Sequence, residues 1–358
     1  MLIPNHPSAP PLFFKIGRGI VSKFSENMEN LELNKSSVAI LSGAHYSRKI
    51  ADIIAESMPR NVRISRVVTD ESSEAAVARI YTKISRQQVG YLVSVGGGAI
   101  VDVGKRIQKL YGIPNIVVPT IISNDGLMSP ISVLTTKSGQ RESLPAAVPS
   151  GAIVDLEIIK KAPLRYLVSA AGDILSNLSA SADWLRLSNR KAEKFDDLAY
   201  QLSISAGQSA INFANIDLQD DAFIEMLVRC QIFSGISMSL AGSSRPCSGA
   251  EHLISHAIDS FGLSSANMLH GIQVGSISLF TLYLLGEDLA KPIRFSRTIG
   301  IPLDWRQLDA RIPLRVMAII EKARIVRPGR ETILDEFSDD EILAKIEKYC
   351  RTYIWEMS

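Results

Sequence analysis

YLVSVGGGAIVDVGKRIQKLYGIPNIVVPT, residues 91–120, leaves an apolar run through three consecutive glycines, enters a helical pattern and emerges in a second β-branched run. Gly96, Gly97 and Gly98 stand where a strand ends and a helix begins. Upstream, VAILSG (38–43), a helix near 46–57, RISRVV (63–68) and a helix near 73–86 repeat the strand–helix alternation. β-branched strands separated by helices imply a parallel sheet covered on both faces, so this part reads as a doubly wound, Rossmann-like α/β domain. Downstream, ISVLTTKSGQRESLP offers two short strands around Lys137–Gln140, with Gly139 at the turn, and AIVDLEII offers one more run. After Pro163 long helical periods dominate. The expected division is an α/β domain over 1–162 and an all-helical domain over 163–358.

The composition fits two ordinary globular domains: 358 residues, 46% hydrophobic and 21% charged. Thirty-nine basic against 37 acidic residues leave a net charge of +2, with no basic stretch interleaved with aromatics, which argues against a nucleic-acid partner. Three cysteines, Cys230, Cys247 and Cys350, match neither a disulfide framework nor a zinc ribbon and suit a reducing compartment. The prolines of MLIPNHPSAPPLFFKIG do not fit a signal peptide. The uncharged stretch between Asp259 and Glu287 is long enough to span a bilayer, but its His270, Gln273, serines and glycines favour a buried helix pair. The expectation is a cytoplasmic protein without a membrane span.

Glycines at a strand-to-helix turn let backbone N–H groups approach a pyrophosphate, and the positive end of the helix dipole favours that anion. Asp102 and Lys105 on the first turns strengthen a dinucleotide reading. The alternative is a tight turn, since the pattern is not G-x-G-x-x-G.

SRPCSGAEHLISH, residues 244–256, holds two of the five histidines four residues apart, His252 and His256, on one helix face. The acid Glu251 precedes the first of them, so this is not H-E-x-x-H. A hydrogen-bonded helix face would explain the pair alone. His270 in MLHGIQVGS and Asp173 in AAGDILSN change the weighing, because a carboxylate inside an apolar helix is costly unless paired or metal-bound. One carboxylate and two imidazoles make a three-ligand site for one divalent ion, zinc first, with nickel or iron as alternatives.

GGGAIVDVGK, PTIISNDGLMSPISV, AAGDILSN, SSRPCSGAEHLISHAID and HGIQVG, in that order, resemble the sn-glycerol-1-phosphate dehydrogenases of the iron-containing alcohol dehydrogenase and dehydroquinate synthase-like superfamily. The resemblance covers about residues 38–280. It implies a dehydroquinate synthase-like fold, with NAD or NADP on the N-terminal sheet and the metal on helices of the second domain. Asp173, His252 and His270 would be the ligands, and Asp125 and His256 would contact substrate. Gly97, Gly98, Ala99, Ile100, Val101, Asp102, Thr120, Ser123 and Ser129 would hold the cofactor. Thr120, Ser123 and Ser129 also suit turn positions, and Asp125-Gly126 is an ordinary turn dipeptide. Arg245, seven residues before His252, would anchor a substrate phosphate, as an arginine at similar spacing does in dehydroquinate synthase-like relatives. One departure stands out: Ile272 replaces the glutamate usual after His-Gly, and Ile cannot support a ligand electrostatically.

The expected activity is reversible reduction of dihydroxyacetone phosphate to sn-glycerol 1-phosphate, with His256 delivering the proton. The alternatives are a sugar-phosphate cyclase, a lyase cycling bound NAD, and a dehydrogenase of another polyol or hydroxy compound. The expected partners are a small phosphorylated polyol or ketone and further copies of the chain in a homo-oligomer. In AILSGAHYSRK no acid follows the first strand before Asp52, so NADPH is expected to be accepted as well as NADH.

Overall fold

The computed structural model describes residues 13–29, 36–189, 194–263 and 268–355. The reading of the N-terminus as free of a targeting segment falls largely outside them. One compact unit spans Met1–Ile122 with Gly126–Pro163, and the other Ser123–Asp125 with Leu164–Ser358. The division falls after Pro163, and Ser123–Asp125 group with the second unit, which a single cut in the sequence does not anticipate.

The first unit runs β1 (Phe13–Gly17), α1 (Phe24–Asn27), β2 (Ser37–Ser42), α2 (Tyr46–Ser57), β3 (Arg63–Val68), α3 (Glu74–Ser85), β4 (Tyr91–Gly96), α4 (Gly98–Tyr111) and β5 (Asn115–Pro119). It continues with β6 (Ile131–Thr135), β7 (Arg141–Pro145), β8 (Gly151–Asp155) and α5 (Leu156–Lys160). Six strands form one parallel sheet in the order β1-β8-β5-β4-β2-β3. β6 and β7 pair antiparallel across the Lys137–Gln140 turn, where Gly139 takes φ 81°.

The two-residue period of the strands fills two cores. Val38, Ile40, Val93, Val95, Ile116 and Val118 pack with Ile50, Ile54 and Ala55 of α2. Ala39, Leu41 and Leu92 pack with Ala76, Val77 and Ile80 of α3 and with Ile100, Val103 and Ile107 of α4. Helices therefore cover both faces, which is why β2 and β4 are buried along their whole length. The winding direction reverses between β2 and β4, so the crevice of a topological switch point opens at Ser42–Gly43 and Gly96–Gly98.

Two elements depart from the sequence reading. β1 is an additional edge strand, partly exposed and carrying Lys15, paired with β8. The run AIVDLEII breaks at Asp155, whose Oδ1 accepts from the Glu157 N–H at 3.0 Å and caps α5. The same carboxylate accepts from the N–H groups of Gly19 and Val21, both at 3.1 Å, and so secures the segment after β1.

The second unit is helical: α6 (Arg165–Ser188), α7 (Asp197–Ile211), α8 (Asp221–Ala241), α9 (Ala250–Ser260), α10 (His270–Leu285), α11 (Ala290–Ile299), α12 (Val316–Ile325) and α13 (Asp339–Cys350). Among the described residues α8 is long and apolar enough to cross a membrane by length and composition, and 72% of its apolar window is buried inside the protein. The stretch between Asp259 and Glu287 supplies the end of α9 and all of α10, with 264–267 outside the described residues.

α6 and α10 approach each other closely. A Cβ on Gly271 would lie 1.8 Å from the Ser169 carbonyl oxygen, and one on Gly172 would lie 2.2 Å from the Gly271 oxygen. Only glycine permits this approach. It brings the residues adjoining these glycines, Asp173 and His270, to the same point.

Candidate metal centre and active site

Asp173 on α6, His252 on α9 and His270 at the first position of α10 each present a ligand atom within 4.8 Å of the others. His270 Nε2 stands 3.9 Å from Asp173 Oδ1. A zinc-sized ion bonded at about 2.0–2.1 Å spaces its tetrahedral ligands roughly 3.3 Å apart, so small side-chain rotations close this set around an ion.

The electrostatics suit a cation. Burial, and then the Asp125 charge, push the Asp173 carboxyl well above its ordinary range, although the Asp125 N–H donates to its Oδ2 at 2.8 Å. A divalent ion would hold that carboxylate ionised. His270 is pushed well below the ordinary imidazole range, by burial first and then by His252, His256 and Arg327, so it presents a neutral lone pair. His252 engages Glu251 Oε1 through Nδ1 at 2.8 Å, which leaves Nε2 for a metal.

Glu251 is the site residue whose role the sequence did not reveal. It is fully buried, and it also accepts from the Gly249 N–H at 2.7 Å and the Ser179 hydroxyl at 2.9 Å. Glu251 on α9 thus gives His252 a buried carboxylate partner. Ile272 itself is half-buried on the first turn of α10. The available signal was the Glu-His dipeptide.

Asp125 joins the triad through its backbone, and the Ser123 carbonyl accepts from the Ser169 hydroxyl at 2.8 Å. His256 lies beside the triad, its ring 6.5 Å from that of His252 and 6.3 Å from that of His270. Its Nε2 meets Arg327 Nη2 at 3.0 Å, so Nε2 accepts and the ring proton sits on Nδ1. Burial, and then the Arg327 charge, push this imidazole down to about 3. The expectation of His256 as proton donor meets a neutral ring whose Nε2 is already engaged.

Arg245 does not join this group. It is 3% exposed, donates from Nη2 to the Glu331 carbonyl at 2.8 Å, and stands 3.9 Å from the buried Asp183 carboxylate. The interior of the unit claims it because Asp183 offers charge and Glu331 a carbonyl there. As placed it ties chain segments together and does not fit the expected anion anchor. The guanidinium that reaches His256 belongs to Arg327, which no motif marked.

In the first unit the three glycines of the loop have different surroundings. A Cβ on Gly97 would meet Ile121 Cδ1 at 2.9 Å, so packing alone accounts for that glycine, whereas a Cβ on Gly98 would meet nothing within 4 Å. Gly98 and Ala99 are exposed at the N-terminus of α4. Ile100 and Val101 are buried, and their N–H groups already donate to the Gly97 carbonyl at 3.0 and 3.2 Å. Asp102 and Lys105 also turn inward, against expectation. Asp102 accepts from the Val133 N–H at 3.0 Å and pairs with Lys105 at 2.9 Å. The fully buried Lys105 donates to the carbonyls of Gly126, at 2.7 Å, and Ile131. Its Nζ is 3.4 Å from the hydroxyl of Ser129, which is itself buried. Thr120 is buried and donates its N–H to the Gly96 carbonyl at 3.0 Å. An acid does reach the β2–α2 turn: Asp70 Oδ1 accepts from the Ala44 N–H at 3.0 Å. It follows β3, too far along the chain for the local reading that found no acid before Asp52.

Residues 15–163 match the family model described as iron-containing alcohol dehydrogenase. A glycerol-1-phosphate dehydrogenase, NAD(P)+, of Nitrosopumilus maritimus is 30% identical over 333 residues, covering 93% of this chain and 92% of the relative. That of Pyrococcus horikoshii is 34% identical over 326 residues, covering 89% and 91%. The chain belongs to the glycerol-1-phosphate dehydrogenase family. Its fold agrees with this placement. Glycerol dehydrogenase of Schizosaccharomyces pombe superposes with a TM-score of 0.80 at 19% identity, covering 99% of this chain and 93% of that one. The N-terminal parallel sheet and helical second unit are therefore those of the iron-containing alcohol dehydrogenase fold.

Proposed function

We propose that this protein catalyses the reversible NAD(P)H-linked reduction of dihydroxyacetone phosphate to sn-glycerol 1-phosphate, with one divalent metal ion. The observation that carries the reading is the Asp173–His252–His270 cluster, built into a glycerol-1-phosphate dehydrogenase family chain by three separate helices. When bound there, the ion supplies Lewis-acid polarisation of a carbonyl oxygen. The residues around it do the positioning. Glu251 fixes the tautomer and angle of His252, and the Asp125 backbone holds Asp173. The Asp125 carboxyl, whose charge acts on Asp173, is assigned to receive a substrate hydroxyl. The neutral His256 accepts at Nε2 and keeps its proton at Nδ1, so its part is to orient, and the proton that the reduction consumes would come from solvent water.

The nicotinamide nucleotide is assigned to the switch-point crevice of the first unit, with its pyrophosphate on the exposed N–H groups of Gly98 and Ala99. Zinc suits the donor set best, and nickel and iron are the alternatives. Three buried free cysteines fit the cytoplasm, and exposed Leu314, Ile325 and Trp355 fit a homo-oligomer.

Oxidation of NADH by the metal-loaded protein tests the reading, with dihydroxyacetone phosphate as the substrate. Sustained stoichiometric loss of NADH is expected. A protein that converts a sugar phosphate without net loss of NADH would be a cyclase, and the reading would fail.

A further inference from the structure

Beyond α12 the chain reads RIVRPGRET, residues 324–332, and turns at Gly329, where φ is 77°. Two guanidiniums from this turn converge on one pair of serines. Arg327 Nη1 donates to the hydroxyls of Ser244 at 3.0 Å and Ser248 at 3.4 Å. Arg330 Nη1 donates to the Ser244 hydroxyl at 3.2 Å and the Ser248 carbonyl at 2.9 Å. Arg327 also holds His256 through Nη2, and His256 in turn lies beside the metal ligands His252 and His270. We propose that Arg327, Arg330, Ser244 and Ser248 form the phosphate subsite of this enzyme, separated from the metal triad by His256.

Two observations support it. Among the described residues no carboxylate lies within ion-pair distance of Arg327, so its charge faces hydroxyls and a ring nitrogen. Each serine hydroxyl accepts from a guanidinium and, among the described residues, has no acceptor for its own proton. Two polarised O–H donors beside two cations match a phosphate monoester, whose terminal oxygens accept several charge-assisted bonds at once. Arg245 gains a role of its own in this arrangement. By holding the Glu331 carbonyl it positions the neighbouring Arg330.

The assignment rests on the phosphorylated-substrate reading above, and the test separates the two. Calorimetric titration of the metal-loaded protein with inorganic phosphate should show binding that Arg327→Ala weakens by about tenfold or more and Arg327→Lys partly restores. In the NADH assay, the ratio of kcat/KM for dihydroxyacetone phosphate to that for dihydroxyacetone should fall about tenfold to a hundredfold in Arg327→Ala. Metal content of both variants should match that of the wild type. No phosphate binding by the wild type, or equal binding by Arg327→Ala, overturns the subsite, as does an unchanged substrate ratio. A wild type that binds phosphate through Arg327 yet reduces no dihydroxyacetone phosphate would sink the proposed activity while leaving the subsite standing.

Discussion

Gly271→Ala puts one methyl group into the tightest place in the second unit. The new Cβ would stand 1.8 Å from the Ser169 oxygen, 2.7 Å from its carbonyl carbon and 2.8 Å from its Oγ. Two of these atoms are backbone and cannot swing aside. Ordinary contact begins near 3.4 Å, so α6 and α10 must part by more than an ångström along that line. Overpacking of this kind costs about 1–3 kcal/mol. Parting the helices also strains the bond from the Gly271 N–H to Ser169 Oγ, now 3.1 Å, worth about 1 kcal/mol more. The expected loss is therefore about 3 kcal/mol, measured by urea denaturation of the metal-free protein. Because His270 precedes Gly271, the same shift should pull one ligand off the triad and weaken zinc affinity by about tenfold or more in a competition titration with a chelator. Wild-type stability together with wild-type zinc affinity would refute the idea that this helix contact sets the spacing of the ligands.

Gly98→Ala is the contrasting case: with open space around its Cβ, folding stability should hold, while the KM for NADH rises severalfold if the α4 N-terminus receives the pyrophosphate. An unchanged KM would return Gly98 to a plain turn. Glu251→Gln should lower metal affinity about ten- to a hundredfold, because a neutral amide holds the His252 Nδ1–H less strongly; equal affinity in the same chelator titration would remove Glu251 from the site. Asp183→Ala takes away the acceptor of the Ala250 and Ile333 N–H groups, at 3.1 and 2.7 Å, and the charge facing Arg245. A loss of roughly 3–5 kcal/mol in urea denaturation is expected, and a loss under about 1 kcal/mol would show that Arg245 finds other company.

The sheet was legible because strands buried on both faces write their position as unbroken β-branched runs, and VAILSG and YLVSVG each became a strand. β1 was not, because an edge strand needs only half of that signal and Lys15 interrupts it. In the second unit, Asp173 was conspicuous as a carboxylate inside an apolar helix, and the structure places it with His252 and His270. Lys105 and Asp102 misled for an opposite reason. A charge near a glycine loop looks available, yet the carbonyls that bind Lys105 lie 21 and 26 positions further on. Arg327 left no trace at all, since His256, which it holds, is 71 positions away and no local period links them.

The bonds made by Asp183 and Arg245 reach forward 150 residues to Ile333 and 86 to Glu331. A chain emerging from the ribosome therefore completes α6, α9 and α10 well before the segment that supplies these hydrogen-bond partners has been made. Until residues 327–333 arrive, Asp183 lacks one of its backbone donors, Arg245 lacks its carbonyl and His256 lacks its guanidinium. A transcript cut short before that point would encode every metal ligand and still lack these three hydrogen-bond partners. Synthesis order thus makes residues 327–333, which carry no metal ligand, the segment that completes the surroundings of the site.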